Sequence, residues 1–344
     1  MRVVDLRSDT ITRPTSNMRR AMAEAEVGDD VLGEDPTINR LQEMAAERLN
    51  TEAALFVPSG TMGNLVSALT HCSRGDEVIL GNQAHMFCLE GGGMAAVGGI
   101  HPRPLQNAPD GTISIEEIEG AIRPDDVHHP RTRLIAVENT HNRCYGSPLT
   151  PSYMGEIRKL ADRYGLKVHV DGARIFNSAV AQGIDVRDLT AAADSVSFCL
   201  SKGLGAPAGS LICSSRDFIA RARRMRKMLG GGMRQAGILA AAGIVALEEM
   251  VERLAEDHAN AQRLGEVLSG VPGVAIRRDL ITTNIVYIGI EREGLTAQAL
   301  AQKLRAGGVL VGPTAPRMMR AVLQYHVTSD DIEYVLRAFE EAMS

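Results

Sequence analysis

Two strand-like segments end in residues that could serve a single reaction. Val196-Ser197-Phe198-Cys199-Leu200-Ser201-Lys202-Gly203-Leu204-Gly205 is a short apolar run that closes on a lysine and then breaks into glycines. Desolvation there disfavours an ammonium, so the pattern predicts a lowered Lys202 pKa and free amine to attack a carbonyl. Lys167-Val168-His169-Val170-Asp171-Gly172-Ala173-Arg174 is a second strand with a carboxylate at its end. A Schiff-base lysine and an acid facing a pyridinium nitrogen are the minimum protein kit for pyridoxal 5'-phosphate (PLP) chemistry. Taken singly, such residues read as a snorkelling surface lysine and a cap.

A third segment joins them. Pro58-Ser59-Gly60-Thr61-Met62-Gly63-Asn64 leads from a strand into a helix, where free N–H groups and the helix dipole make an anion seat. Gly60 permits close approach, Ser59 or Thr61 adds a hydroxyl, and no Walker Gly-Lys-Ser/Thr follows. His85 follows the next strand at a height suited to stacking on a cofactor ring and moving a proton. His128 lies in a polar loop, whereas His169 alternates with its strand and reads as packed. In the arm Asp5–Pro14, Ser8 is placed to meet a substrate carboxylate. Arg320, with Arg317 as its competitor, offers that carboxylate a bidentate guanidinium.

The elements that must position these groups alternate between apolar runs and amphipathic helices from about residue 35 to 215, which predicts a parallel sheet with crossover helices. Strands are expected at 53–57, 77–80, 134–138, 167–171, 195–200 and 210–214. Helices are expected at 39–49, 62–71, 115–122, 152–164 and 218–228. One long helix over 239–268 would bridge to a compact α+β unit with strands at 274–277, 284–290 and 319–323 and helices at 297–306 and 330–342. The chain is thus read as α/β, with a large domain over 1–245, N-terminal arm included, and a small C-terminal domain over 246–344. Asp171 and Lys202 both fall at strand carboxyl ends, where open α/β sheets bind ligands.

The 344 residues are 44% hydrophobic and 23% charged, with a net charge of -5, the profile of an ordinary globular protein. That balance gives no case for nucleic acid or a membrane surface as a partner. The five cysteines lack metal-ligand spacing and read as free thiols in a reducing compartment, so a cytoplasmic location is expected and no metal. The first residues lack a secretory apolar region, and the apolar stretch 236–247 is too short for a membrane span. Gly203–Gly209 fails GxGxxG spacing and carries a proline where the helix should begin, which argues against a nucleotide-binding oxidoreductase.

Asp5-Leu-Arg-Ser-Asp-Thr, Gly28-Asp-Asp-Val31, Pro58-Ser-Gly-Thr61, Glu138-Asn-Thr-His-Asn142, His169-Val-Asp-Gly-Ala-Arg-Ile-Phe-Asn177, Leu200-Ser-Lys-Gly-Leu-Gly205 and Gly230-Gly-Gly-Met-Arg-Gln-Ala-Gly237 occur in this order. The chain closely resembles the L-threonine aldolases, PLP enzymes of fold type I. That resemblance implies retro-aldol cleavage of L-threonine or L-allo-threonine to glycine and acetaldehyde. Another PLP lyase reaction, β-elimination or serine hydroxymethyl-type cleavage, is the alternative. It further implies Lys202 as the Schiff-base lysine, Asp171 beneath the ring nitrogen, His85 stacking on the ring, and Ser59, Gly60 and Thr61 around the phosphate. Arg174 would lie near the cofactor oxygen and the substrate carboxylate, joined by Ser8 and Arg320, and His128 would approach the substrate hydroxyl. Lys227 and Arg234 would reach the pocket from a neighbouring subunit of a homotetramer, a dimer of catalytic dimers. Two segments depart from the family pattern, 143–148 and 322–326, and both are expected to reshape the substrate pocket.

Overall fold

The computed structural model describes residues 2–344. Short runs of β-branched and aromatic residues, nearly all buried, become β2 (Ala53–Val57), β3 (Asp76–Gly81), β5 (Arg131–Glu138), β6 (Lys167–Asp171), β7 (Ser195–Cys199) and β8 (Ser210–Ser214). They follow β1 (Val4–Asp5) of the N-terminal arm, and β4 (His101–Leu105) lies between β3 and β5. Strands β2 to β8 form one seven-stranded sheet in the order β2-β8-β7-β6-β5-β3-β4. The expected strands all exist, and β4 is an addition. Its sequence, His-Pro-Arg-Pro-Leu, hides it from a strand search, because two prolines are tolerated only at a sheet edge.

The sheet is parallel except at β8, which runs antiparallel to both β2 and β7. The chain between Cys199 and Ser210 is too short to contain a crossover helix, so it turns back. That turn carries Lys202. Gly209, at φ +102°, closes it where a Cβ would collide with the Phe56 ring.

The expected single helix over 239–268 is two helices, Gly237–Glu249 and Leu254–Leu268. The first buries Ala240, Ala242, Ala246 and Leu247 in the main core, and the second carries Ala261, Leu264 and Leu268 into another core. The first is apolar on nearly every face and the second is amphipathic, and residues 250–253 between them hold neither proline nor glycine, so no residue marks the break. The second core is built on β9 (Val274–Ala275), β10 (Ile285–Ile290), β11 (Val309–Leu310), β12 (Gly312–Ala315) and β13 (Met318–Val322), with the helices Ala297–Ala306 and Ser329–Met343. Strands β12-β13-β10-β9 form an antiparallel sheet, while β11 pairs in parallel with β1 of the arm. No helix among the described residues is long and apolar enough to cross a membrane.

The arm therefore belongs to the C-terminal core. Val4 and Leu6 are buried in it, the Leu6 N–H donates to the Leu310 carbonyl at 2.8 Å, and the Leu6 carbonyl accepts from Val322 N–H at 2.8 Å. Leu6→Ala is expected to cost about 2–5 kcal/mol, because the two backbone bonds hold the cavity open. A lower chemical-denaturation midpoint checks this, and an unchanged one would show that the arm is not part of the core.

Candidate active site

The carboxyl ends of β3, β5, β6 and β7 lie in succession along the sheet, and Asp171 and Ser197 of β6 and β7 meet Asn64 of helix Gly60–His71. Asp171, the last residue of β6, is 3% exposed. Its Oδ2 accepts from Asn64 Nδ2 at 2.9 Å, and its Oδ1 accepts from the Ala173 N–H at 3.2 Å. Lys202 lies three residues beyond β7, and its carbonyl accepts from the Thr12 hydroxyl at 2.8 Å. His85 opens the short helix after β3, with its backbone N–H given to Glu138 Oε2 at 2.7 Å. Its Nδ1 stands 2.7 Å from Glu90 Oε1, and this hydrogen bond raises the imidazole pKa above its ordinary value against the effect of burial.

Helix Gly60–His71 supplies the anion seat. Ser59 caps it by accepting the Met62 N–H at 3.2 Å, which leaves the N–H groups of Gly60 and Thr61 to an external acceptor. A Cβ on Gly60 would sit 2.8 Å from Cys199 Sγ, so the backbone approaches the sheet as only glycine allows.

Two arginines complete the site. Arg174 donates Nε and Nη2 to the Asp9 carboxylate at 2.6 and 2.7 Å, both partners being buried. Burial alone would raise the Asp9 pKa, but Arg174 outweighs it and, with Lys202 and Arg320 nearby, holds it below the usual aspartate range. Arg320, on β13, donates Nη1 to Asn142 Oδ1 at 2.7 Å, while its buried Nε has no protein partner among the described residues. Arg317 is tied to the backbone carbonyls of Ile290 and Arg292 instead. Of the two candidates, only Arg320 faces the cluster.

With this geometry in view, residues 5–291 match the beta-eliminating lyase family. The chain belongs to this family. It is 51% identical over 345 residues to the probable low-specificity L-threonine aldolase 2 of Arabidopsis thaliana, covering 99% of this chain and 97% of that protein. It is 46% identical over 333 residues to the low specificity L-threonine aldolase of Escherichia coli K12, covering 97% of each. The threonine aldolase structure of Leishmania major superposes with a TM-score of 0.84 at 18% identity, over 99% of both chains, and shares its fold.

The residues present fit PLP. They offer a primary amine, a buried carboxylate with room for one more partner, a glycine-lined helix N-terminus and an imidazole. Arg320, which lines a pocket with Tyr145 and Tyr287, adds a guanidinium for a carboxylate.

Not every expected residue joins this cluster within one chain. His128 is 83% exposed and pairs with Asp126 at 2.7 Å. Lys227 lines a surface groove of about 360 Å³ with Val31, Arg223 and Arg226, and Arg234 pairs with Asp29 at 2.8 Å. The glycine loop between them does reach the anion seat, since Gly231 packs on Met62. Ser8 caps the short helical turn Asp9–Ile11 by accepting from the Thr10 N–H and hydroxyl. Asp9, Asn64 and Glu90 were missed. Asp9 and Asn64 stood inside quoted motifs, yet only a contact distant in sequence distinguishes them.

The two departures from the family pattern behave differently. Segment 143–148 swings Tyr145 onto Tyr287 with ring centroids 5.0 Å apart, and both line a pocket of about 750 Å³ with Arg143 and Arg320. Segment 322–326 turns away from that pocket. There the Tyr325 hydroxyl donates to the Arg13 carbonyl, and the ring packs on Gly205 behind Lys202.

Asp9→Asn is expected to cost about 3–5 kcal/mol, because it leaves a guanidinium buried without its counter-charge. The sign with pH follows from the depressed folded pKa of Asp9. The pair's contribution is complete above the unfolded aspartate value, about pH 4, and is lost as the pH falls through the folded one. Stability measured against pH should lose part of its acid limb in the variant. An identical limb in both proteins would remove Asp9 from the acid response.

Proposed function

We propose that the chain is a PLP-dependent aldolase that cleaves L-threonine, L-allo-threonine and related β-hydroxy-α-amino acids to glycine and an aldehyde. Identity of 46–51% to low-specificity L-threonine aldolases over nearly the whole chain is the observation that carries it. When bound, PLP supplies the electron sink that makes Cα–Cβ cleavage possible.

The protein's own groups do the rest. Lys202 would provide the amine that holds the cofactor. Asp171, held by Asn64 and the Ala173 N–H, keeps a proton on the ring nitrogen. Gly60 and Thr61 take the phosphate, with Ser59 shaping the turn. Arg320, lining the pocket with Tyr145 and Tyr287, would receive the substrate carboxylate and so fix the orientation of the bonds at Cα. Arg174 has Nη1 left for the same carboxylate or the cofactor oxygen, and Ser8 lies in the arm beside it. His85 Nε2 takes the β-hydroxyl proton, directly or through water.

In this reading Lys227 and Arg234 act on a neighbouring subunit's site, and His128 approaches the substrate hydroxyl. The same reading takes the enzyme to be a homotetramer made of two catalytic dimers, working in the cytoplasm on a small amino-acid substrate. In this reading the large domain over 1–245 holds the cofactor, with its arm strand β1 packed into the small domain over 246–344, which contributes Arg320.

Lys202→Ala is expected to abolish both turnover and the borohydride-reducible chromophore, and retention of either would end the Schiff-base assignment. Asp171→Asn should retain PLP and lose most of the rate, so an unchanged kcat would remove the carboxylate from the electron-sink role. The family's own description favours β-elimination as a second reading. Assaying glycine and acetaldehyde against pyruvate and ammonia separates the two.

A further inference from the structure

An imidazole can serve as a base only through the nitrogen that carries no proton, and the partner of the other nitrogen decides which one that is. For His85 that partner is Glu90, a buried carboxylate at 2.7 Å from Nδ1, its side chain 6% exposed. Glu90 is itself held. Its Oε1 also accepts from Asn64 Nδ2 at 2.7 Å, and the same amide nitrogen donates to Asp171 Oδ2 at 2.9 Å. One asparagine thus binds the acid beneath the ring position and the acid behind the imidazole.

Carboxylate oxygens accept, so the amide turns Nδ2 toward Glu90 and Asp171 and Oδ1 the other way. Its Oδ1 accepts from the Ser197 hydroxyl at 2.7 Å and stands 3.2 Å from His169 Nε2. Burial lowers the His169 pKa to about 4 and the His71 pKa to about 3, so both rings are neutral near pH 7. A neutral His169 that donates from Nε2 must accept at Nδ1, where the Ser195 hydroxyl lies 2.8 Å away. Ser195 Oγ in turn lies 2.8 Å from His71 Nε2, which donates to it. Every proton in this chain has one place, from His71 through Ser195, His169 and Asn64 to Glu90. Burial raises the Glu90 pKa, but the bonds from His85 and Asn64 favour its ionised form, in which Oε1 only accepts and His85 presents Nδ1–H to it.

We propose that Glu90, oriented by Asn64, is a positioning residue that locks His85 in the Nδ1–H form and thereby makes Nε2 the base. This rests on the aldolase reading only for which proton Nε2 takes. The charged groups around His85 are Glu90, Asp171 and Lys202, with Glu138 on its backbone N–H. Of these, only Glu90 meets the ring nitrogen directly.

The test uses the full chain with Glu90→Gln and Glu90→Ala. Before PLP is added, carbethoxylation of His85, followed peptide by peptide in a mass spectrometer, reports its titration. The midpoint should fall by about one pH unit when the carboxylate is removed. With PLP bound, Glu90→Ala should lower kcat for threonine cleavage about tenfold or more. Glu90→Gln keeps an acceptor oxygen and should recover several-fold of that loss. In a His85→Ala background, Glu90→Ala should cost nothing further. An unshifted midpoint, a Gln variant no better than Ala, or a loss that persists without His85 would each overturn the assignment. A parent protein that makes no glycine from threonine would sink the aldolase reading alone, since the carbethoxylation comparison does not depend on turnover.

Discussion

The buried pair between Asp9 and Arg174 is the contact on which the site's geometry depends. Asp9 comes from the arm and Arg174 from the turn after β6, with Asn284 Nδ2 of the small domain 3.5 Å from the same carboxylate. Three stretches remote in sequence are therefore pinned to one point. A guanidinium with so little solvent access is tolerable only beside a counter-charge with good geometry, and the bidentate arrangement provides one. The arm adds its own anchors: β1 runs beside β11, and Thr12 bonds the Lys202 carbonyl. Through these contacts the small-domain arginine is held over the end of the large sheet.

The charges around Lys202 are divided between two walls. Asp171 and Glu90 stand on the side of helix Gly60–His71, bridged by Asn64, while Arg174 and Arg320 stand on the side of the arm and the small domain. An amino-acid substrate carries both signs, and a site polarised in this way can hold it in one orientation. The helix N-terminus adds a third, positive corner for a phosphate. Asn64 keeps two carboxylates in one small volume by giving each a hydrogen, which offsets part of their repulsion.

Much of the large sheet was legible because its strands are buried runs of Val, Ile, Leu and Phe, a pattern dictated by sheets covered on both faces. Asp171 and Lys202 were legible for the same reason, since a polar residue that ends such a run must lie at the sheet's rim. The edge strand β4 escaped because prolines disguised it. The break at 250–253 escaped because neither proline nor glycine marks it. Arg320 and Arg317 look alike in sequence, both lying in or beside a strand of the small domain, and only the pairing of β13 with β10 turned one toward Asn142 and left the other on backbone carbonyls.

From the order of residues alone came the chemistry: a lysine and an aspartate at two strand ends, a glycine turn before a helix, and a histidine past a third strand. Those follow from local rules, in which burial selects residue types and a turn selects glycine. Partnership is not local. That Asp9 occupies Arg174, that Glu90 stands behind His85, and that Asn64 joins Glu90 to Asp171 are contacts between residues 5 to 165 positions apart. They exist only because the fold sets β7, β6, β5 and β3 in succession and lays the arm and one helix against their ends. Hydrogen-bond reach is a few ångströms, so only the folded chain could decide which carboxylate meets which cation.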